Sequence, residues 1–180
     1  MFRRIVDYSD YVNQVIKALP GGALITTRVD DKVNSMVIGW GAVGVNWGKP
    51  MFMAFVRESR FTREMLDENP EFTINVPVGA PDKNILRVCG SMSGRDVDKV
   101  SEAKLTLTRP EKISVPGIKE FPLTLECRVV YSQKQDPSLL EDEIIERFYP
   151  RNIFGTETGP SWDAHITYYG EIVAAYIIED

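Results

Sequence analysis

Two arginines and two hydroxyl residues lie within six positions of the sequence, in the segment RESRFT at positions 57–62. Thr62 is predicted to cap a helix that runs to about Glu68. Guanidinium groups, hydroxyls and the free N–H groups at the start of a helix are donors that suit a phosphate monoester. The same arginines are also consistent with solvated charges at the end of a strand. The candidate phosphate ligands are Arg57, Ser59, Arg60 and Thr62.

Composition limits the class of protein. We interpret residues 1–180 as one domain, because this length suits a single core and 43% of the residues are apolar. A formal net charge of −5 argues against nucleic acid or an anionic membrane as a partner. No apolar run approaches the roughly 18 residues of a membrane span, and the first residues lack the apolar core of a secretory signal. We therefore expect a cytoplasmic location.

The elements that must position the phosphate segment are mostly short strands. Apolar alternation and β-branched runs predict strands at 23–28, 36–38, 42–45, 51–56, 71–77 and 123–133, and two runs between 165 and 178. Helical spacing occurs at 9–19, 82–88 and 139–148. Strands and helices do not alternate regularly along the chain. The sequence therefore predicts a mainly β fold, a β-barrel with peripheral helices.

Three local details belong to this prediction. Ser9 is expected to cap the first helix, and the helix at 82–88 is expected to end at Cys89 and Gly90. Gly170 marks a bulge or bend between the two final strand runs. The longest run is expected to place five side chains on one face of its strand: Leu123, Leu125, Cys127, Val129 and Tyr131.

The segment GWGAVG at positions 39–44 matches the dinucleotide-binding pattern GxGxxG. That pattern needs a helix directly after it, whose N-terminus carries the pyrophosphate. Here Asn46, Gly48 and Pro50 follow almost at once, so no such helix forms. The glycines instead suit a planar ligand that lies close to the backbone.

Several motifs in order resemble the flavin reductase-like family of FMN-binding split barrels, whose members include flavoredoxin-like proteins. They are NSM at 34–36 with GW at 39–40, SRFT at 59–62 with Glu64, FTINVP at 72–77, CGSMSGRDVDK at 89–99, and HI at 165–166 with GEI at 170–172. The resemblance extends over about residues 15–178. It implies a Greek-key split barrel that forms a homodimer, with FMN in a groove at or near the subunit interface.

The resemblance also implies where FMN would lie. The isoalloxazine edge would contact backbone groups of Val37, Ile38, Gly39 and Trp40, and the phosphate would lie on residues 57–62. Cys89, Gly90, Ser93 and Gly94 would close over the cofactor, although Ser93 is also consistent with a simple helix cap. Relatives often have a serine where Gly39 stands, so one side-chain hydroxyl to the flavin is missing here.

Aromatic residues and the single histidine have two interpretations each. His165 is either a hydrogen-bonded structural residue in a strand or, as the resemblance implies, a catalytic residue on the nicotinamide side of the flavin. Trp40 and Trp47 are consistent with ordinary aromatics at a barrel end. Trp47, Phe154 and Trp162 also offer apolar cover for a homodimer.

The resemblance favours an NAD(P)H:flavin oxidoreductase, in which NADH or NADPH passes hydride from C4 to N5 of FMN. The alternative is an electron-transfer flavoprotein with tightly bound FMN and a redox protein as its electron donor. A third interpretation is a dimeric binding module that has lost its FMN site. The sequence shows no acid–base pair of the kind that hydrolases use, and hydride transfer needs none. Cys89 and Cys127 lack the spacing of a metal or redox pair, so we expect free thiols and no metal site.

Overall fold

A computed structural model describes residues 2–149 and 163–179. Within these residues the chain forms ten strands: β1 Phe2–Ile5, β2 Ala23–Val29, β3 Lys32–Ile38, β4 Gly41–Asn46, β5 Lys49–Arg57, β6 Glu71–Val76, β7 Leu107–Thr108, β8 Gly117–Ile118, β9 Leu123–Lys134 and β10 His165–Glu179. Its helices are α1 Val12–Ala18, α2 Phe61–Glu68, α3 Lys83–Ser91, α4 Lys99–Glu102 and α5 Asp142–Phe148.

Eight strands form one antiparallel sheet in the order β3-β2-β6-β9-β10-β5-β4, with β1 added to β10. β7 and β8 form a separate pair. β10 is the centre of this arrangement, because its first half pairs with β5, its second half pairs with β1, and both halves pair with β9. The predicted mainly β fold with peripheral helices is confirmed.

The strand β10 is continuous where the sequence suggested two runs, and the predicted irregularity at Gly170 is confirmed. Its register with β9 shifts between Tyr169 and Gly170. A side chain at Gly170 would lie 2.4 Å from the Phe72 ring of β6 and 2.9 Å from Cβ of Cys127 on β9, so only glycine fits at this position.

The main core lies on the inner face of the sheet. Alternate residues of each strand point into it, as the period of two requires. They include Phe52, Ala54 and Val56 of β5, Phe72, Ile74 and Val76 of β6, and Leu123, Leu125 and Cys127 of β9.

The expectation that Tyr131 continues this inner face is wrong. Tyr131 pairs with Tyr169, whereas Val129 pairs with Gly170, so Val130 is an extra residue on β9. A one-residue bulge turns the following side chains to the opposite face. Tyr131 is consequently 45% exposed and lies on the outer face.

A second apolar cluster attaches α3 and α4 to the sheet. Leu24 of β2 packs there with Ile85, Val88 and Cys89 of α3 and with Phe121. The cluster also contains half-buried Val37 of β3. It holds α3 and the loop that follows it beside β3, which is where the candidate site forms.

Two helix boundaries differ from the sequence prediction. α3 begins after Asp82, which accepts hydrogen bonds from Asn84 and Ile85, and it continues through Gly90 instead of ending there. A side chain at Gly90 would make only ordinary van der Waals contact with Val37, at 3.6 Å, so the glycine does not interrupt the helix. Near the N-terminus the cap is Asp7, which accepts from the Ser9 N–H, and a short 3-10 turn precedes α1.

Within the described ranges, no helix is both long and apolar enough to cross a membrane. A cytoplasmic location and a single domain over residues 1–180 stay predictions.

Candidate functional site

Two adjoining cavities lie beside β3. Cavity A, of about 210 Å³, is bounded by the ends of β3, β5 and β10, and cavity B, of about 130 Å³, lies between the start of α2, the end of α3 and the loop at 92–98. Met36, Arg60 and Gly90 belong to the walls of both, so the cavities are continuous.

Every candidate residue from the sequence lines one of these cavities. The candidate residues that line cavity A are Val37, Ile38, Gly39, Trp40, Arg57 and His165. Those that line cavity B are Ser59, Thr62, Cys89, Ser93 and Gly94. Arg60 and Gly90 line both cavities. Arg57 is thereby separated from Ser59 and Thr62, and of the candidate phosphate ligands only Arg60 lines the same cavity.

The backbone of β3 offers cavity A a donor and an acceptor. Among the described residues β3 is the terminal strand of the sheet, so the N–H and C=O groups of every second residue point outward and meet no neighbouring strand. Ser35 lies on this edge, because its carbonyl accepts a hydrogen bond from Lys99. Val37 is two residues further and therefore directs its N–H and C=O to the same side.

Aromatic rings form another wall of cavity A. The indole of Trp40 packs between His165, with ring centroids 5.0 Å apart, and Phe148, at 5.1 Å. Phe55 of β5 also lines the cavity. Trp40 keeps 42% of its surface exposed.

His165 is both buried and part of the cavity wall. It is 6% exposed, and its Nδ1 lies 2.7 Å from the Tyr149 hydroxyl, which lies 3.1 Å from Gln135 Oε1. Burial and the neighbouring Arg57 guanidinium lower the pKa of His165 to about 4. The imidazole is therefore neutral at pH 7.

Arg57 is a structural clamp in the described residues. Its Nη1 donates to the Asp163 carbonyl at 2.9 Å and its Nη2 donates to the Phe148 carbonyl at 2.8 Å. The guanidinium also lies 5.2 Å from the centre of the Tyr149 ring. These contacts hold Arg57 in cavity A, beside His165, its partner in the β5–β10 register.

The start of α2 contributes backbone donors to cavity B. The prediction that Thr62 caps this helix is wrong: the N-cap is Arg60, and no side chain caps the helix. Thr62 lies inside the first turn, where its hydroxyl accepts from Asn34 Nδ2 at 3.0 Å. Ser59 is held by Asp163, whose carboxylate accepts from the Ser59 N–H and hydroxyl. The first N–H groups of α2 thus have no side-chain partner within residues 2–149 and 163–179.

Lys99 is a buried cation in the wall of cavity B. It is 4% exposed, and its Nζ donates to the carbonyls of Ser35 and Cys89, each at 3.1 Å. No carboxylate of the described residues pairs with it, and burial lowers its pKa. The Arg60 guanidinium likewise has no ion pair within residues 2–149 and 163–179. Two positive charges thus face one small cavity.

Asn34 carries an unused acceptor at the same place. Its side chain is 1% exposed, and its Oδ1 has no hydrogen-bond partner among the described residues. A buried carbonyl oxygen without a donor costs roughly 1 to 3 kcal/mol, so a ligand hydroxyl would relieve it.

The loop at 92–98 is fixed against α2. Arg95 bonds to Glu64 Oε1 at 2.5 Å and to the Ser59 carbonyl at 3.1 Å, and this contact lowers the pKa of Glu64. Ser93 Oγ accepts from the Arg95 N–H. A side chain at Gly94 would lie 2.2 Å from Asn34 Oδ1, so glycine is required for the loop to close over cavity B.

Comparison with known proteins identifies a family that matches most of this chain. Residues 19–180 match the model of the flavin reductase like domain. The chain belongs to this family. An uncharacterised protein of Archaeoglobus fulgidus is 30% identical over 138 residues, which cover 76% of this chain and 77% of that protein.

Solved structures of flavin reductase-like proteins share the fold. The flavoredoxin of Methanosarcina acetivorans is 30% identical, with a TM-score of 0.64 over 88% of this chain and 68% of its own. The NADH:FAD oxidoreductase of Streptomyces globisporus is 17% identical, with a TM-score of 0.59 over 97% of this chain and 87% of its own. The predicted split barrel is confirmed.

Neither cysteine of this flavin reductase-like domain is exposed. Both are free thiols, as predicted, and both are buried. Burial raises the pKa of Cys89 to about 11, so its sulfur stays protonated at neutral pH. Cys89 contributes to cavity B through its backbone carbonyl, which accepts a hydrogen bond from Lys99 Nζ.

Sequence reasoning missed Lys99 and Asn34 as site residues. Both lie in the motifs that carried the family resemblance, at 89–99 and 34–36. Their place in these motifs was the signal that could have identified them as site residues. Nothing in the local pattern shows that Lys99, one of 21 lysines and arginines, points inward.

Proposed function

We propose that this protein is an NAD(P)H:flavin oxidoreductase that holds FMN across cavities A and B. The observation that carries this proposal is the convergence on cavity B of three features. They are a buried lysine and a second cation, neither with a counter-ion among the described residues, and a helix start that no described side chain caps. Such a set of donors suits a phosphate, and the cavity that adjoins it suits a flat ring.

The phosphate belongs in cavity B. Lys99 and Arg60 supply positive charge, and the first N–H groups of α2 supply backbone donors aligned with the helix dipole. A lysine that is 4% exposed loses hydration on folding, and a bound phosphate restores a favourable partner. Ser59 and Thr62 shape this end, while the turn of α3 at Cys89 and Gly90 and the loop at Ser93 and Gly94 cover it.

The ribityl chain belongs in cavity B and at its junction with cavity A. Asn34 Oδ1, in the wall of cavity B, is a buried acceptor without a donor among the described residues, and a ribityl hydroxyl is a donor of the right kind. Met36, which lines both cavities, supplies apolar contact at the junction.

The isoalloxazine belongs in cavity A. The outward N–H and C=O of Val37 match the alternating acceptors and donors at the pyrimidine edge of the ring. Ile38 and Gly39 continue this wall, and the absence of a side chain at Gly39 keeps it open. Trp40 supplies a planar apolar contact.

FMN, when bound, supplies the acceptor N5 for a hydride from C4 of NADH or NADPH. The protein's part is to hold the ring, exclude water and place the nicotinamide. His165 is the candidate for the nicotinamide side. Because it is neutral at pH 7, it acts by packing and by hydrogen bonding rather than by donating a proton.

A homodimer is part of this proposal. Trp47, Tyr131 and Tyr169 form an exposed aromatic cluster on the outer face, with ring centroids 5.3 to 6.1 Å apart. Tyr169 lies on β10 in the same face as His165, so the cluster extends the surface around cavity A. A second copy would cover both. Phe154 and Trp162, the other predicted cover residues, lie outside the described residues.

A second function is an electron carrier that keeps its FMN and receives electrons from a redox protein. The 30% identity to a flavoredoxin favours it. Both functions use the same cavities, and they differ in how the flavin is reduced.

Oxidation of NADH and of NADPH, measured with and without added FMN on protein assayed for retained yellow cofactor, separates the two. Rapid turnover that rises with added FMN supports the reductase. Retained flavin that neither nicotinamide reduces would overturn it in favour of the carrier. Protein that binds no flavin would overturn both.

A further inference from the structure

His165, Tyr149 and Gln135 form a chain of hydrogen bonds behind cavity A. The Tyr149 hydroxyl lies 2.7 Å from His165 Nδ1 and 3.1 Å from Gln135 Oε1. Tyr149 and His165 are each 6% exposed, so bulk water does not compete for the bond between them. Of the three residues only His165 lines cavity A. The other two therefore act on a ligand in this cavity only through the imidazole.

Backbone contacts bring the three side chains together. Tyr149 is the C-cap of α5, and its N–H donates to the Ile145 carbonyl at 2.8 Å. Gln135 directly follows β9, and its N–H donates to the His165 carbonyl at 2.9 Å. The rings of Tyr149 and His165 meet edge to face, with centroids 5.6 Å apart. The end of β9, the start of β10 and the end of α5 thus determine this arrangement.

The order of the bonds determines which imidazole nitrogen carries the hydrogen. An amide oxygen only accepts, so the Tyr149 hydroxyl gives its one hydrogen to Gln135 Oε1. Burial raises the pKa of Tyr149, so the hydroxyl keeps this hydrogen at neutral pH. Its oxygen must then accept from His165 Nδ1. The neutral imidazole consequently carries its hydrogen on Nδ1.

The second ring nitrogen, Nε2 of His165, is left as an acceptor. The two nitrogens of an imidazole point away from each other, so Nε2 points away from Tyr149. No group within residues 2–149 and 163–179 donates to Nε2, and His165 lines cavity A. An unprotonated nitrogen at this place suits a ligand that offers an N–H group. The carboxamide of a nicotinamide offers two N–H hydrogens.

We propose that Tyr149 and Gln135 are positioning residues, which hold His165 in the Nδ1–H form so that Nε2 accepts a hydrogen bond from the nicotinamide carboxamide. This proposal rests on the proposed function, because it assumes that the nicotinamide enters cavity A. The contact orients the nicotinamide ring against the flavin, and no proton is transferred at the imidazole. The protein should accordingly prefer a nicotinamide whose amide N–H group is intact.

Nitrogen NMR on protein with isotope-labelled histidine tests the first half of this proposal. His165 is the one histidine of the chain, so the spectrum reports it alone. We expect the Nδ1–H form in the wild type. Gln135→Leu removes the acceptor, so the Tyr149 hydroxyl should turn to Nδ1 and shift the hydrogen to Nε2. Gln135→Glu keeps an acceptor oxygen and should keep the Nδ1–H form, and Tyr149→Phe, a second variant, should give a mixture of the two forms.

Stopped-flow reduction of the bound flavin tests the second half. It compares NADH with its acetylpyridine analogue, which has a methyl ketone in place of the carboxamide and lacks the N–H donor. Gln135→Leu should lower the preference for NADH over the analogue by ~10-fold, because one hydrogen bond is lost with NADH alone, and FMN affinity should stay nearly unchanged. Gln133→Leu, the same change at an exposed residue of β9, is the control and should leave the preference unchanged.

Three results would contradict these expectations in different ways. A wild type with the hydrogen on Nε2, or a Gln135→Leu variant that keeps the Nδ1–H form, would overturn the role of Tyr149 and Gln135. A changed tautomer with an unchanged preference would overturn the carboxamide contact. A wild type whose bound flavin neither NADH nor NADPH reduces would contradict the proposed function and the carboxamide contact with it, and the NMR spectrum would still decide the tautomer.

Discussion

The ammonium group of Lys99 donates a 3.1 Å hydrogen bond to the carbonyl of Cys89, which ties the start of α4 to the end of α3 at the wall of cavity B. A charge held at this position by backbone carbonyls is fixed before any ligand arrives. Preorganised charge of this kind gives a phosphate site its affinity at little cost in side-chain entropy.

Lys99→Met should weaken FMN binding by ~10-fold and leave riboflavin binding almost unchanged, because riboflavin lacks the phosphate. Methionine keeps the length of the chain and removes the charge. Fluorescence titration with both flavins measures this. Lys17→Met, on the exposed side of α1, is the matched control. Equal losses for FMN and riboflavin would indicate a packing defect and not a phosphate contact.

Arg60→Ala should also weaken FMN by ~10-fold without loss of the fold, since an exposed arginine contributes little to the core. Wild-type protein should accordingly prefer FMN to riboflavin by at least that factor. Titration and thermal denaturation of the same preparation measure both effects. Arg87→Ala, an exposed residue of α3, serves as the control. Unchanged FMN affinity in Arg60→Ala would remove Arg60 from the site.

His165→Ala should slow flavin reduction or raise the apparent KM for NAD(P)H, with FMN affinity nearly unchanged. Stopped-flow reduction and thermal denaturation separate this from a structural role. A variant that loses about 1 to 3 kcal/mol of stability yet reduces FMN at the wild-type rate per folded molecule would make His165 structural only.

The stability of the wild type should fall with acid because of His165. Its pKa is about 4 in the folded protein and 6.5 in the unfolded chain, so between these values the unfolded state binds more protons. Stability should therefore fall as the pH drops from about 6.5 to 4, by up to roughly 3 kcal/mol from this group. Urea denaturation of the wild type and of His165→Gln across this range measures the difference. Parallel curves would show that the buried imidazole is not responsible.

Gly94→Ala should lower flavin affinity by ~10-fold or more, because the new methyl group would lie 2.2 Å from Asn34 Oδ1 and force the loop away from cavity B. Gly44→Ala is the control, because a side chain there meets nothing within 4 Å. Titration with FMN measures both. If Gly94→Ala binds FMN as the wild type does, closure of this loop is not needed for the site.

Trp47→Lys should dissociate the proposed homodimer, because it places a charge in the exposed aromatic cluster with Tyr131 and Tyr169. Light scattering on the wild type should give twice the chain mass, and on the variant a lower mass at the same concentration. A wild type that is a monomer with flavin bound would contradict the dimer.

The sequence was sufficient for the fold class, because the period of two in runs such as 71–77 depends on local chemistry alone. It was also sufficient to identify candidate site residues, all of which line cavity A or B, because each family motif is a short continuous segment of the chain. Which of these residues share a cavity could not be predicted. Arg57 and Arg60 are three positions apart, yet Arg57 is held by carbonyls of Phe148 and Asp163, which no local pattern brings near it.

Tyr131 and Lys99 show why the remaining details were out of reach. The face of Tyr131 depends on one extra residue in β9, and a bulge is fixed by pairing with a distant strand. The inward direction of Lys99 depends on carbonyls of Ser35 and Cys89, 64 and 10 positions away. In both cases tertiary partners override the local preference.

The central position of β10 has a consequence for the rate of folding. This strand pairs His165 with Arg57 and Glu179 with Phe2, so the barrel closes through contacts between distant parts of the chain. In folds dominated by such contacts, the chain loses loop-closure entropy before strand pairing becomes favourable, so these folds form slowly. The wall of cavity A that contains His165 exists only after this step. Flavin capture during refolding should therefore follow the closure of the barrel, at a rate that does not increase with flavin concentration.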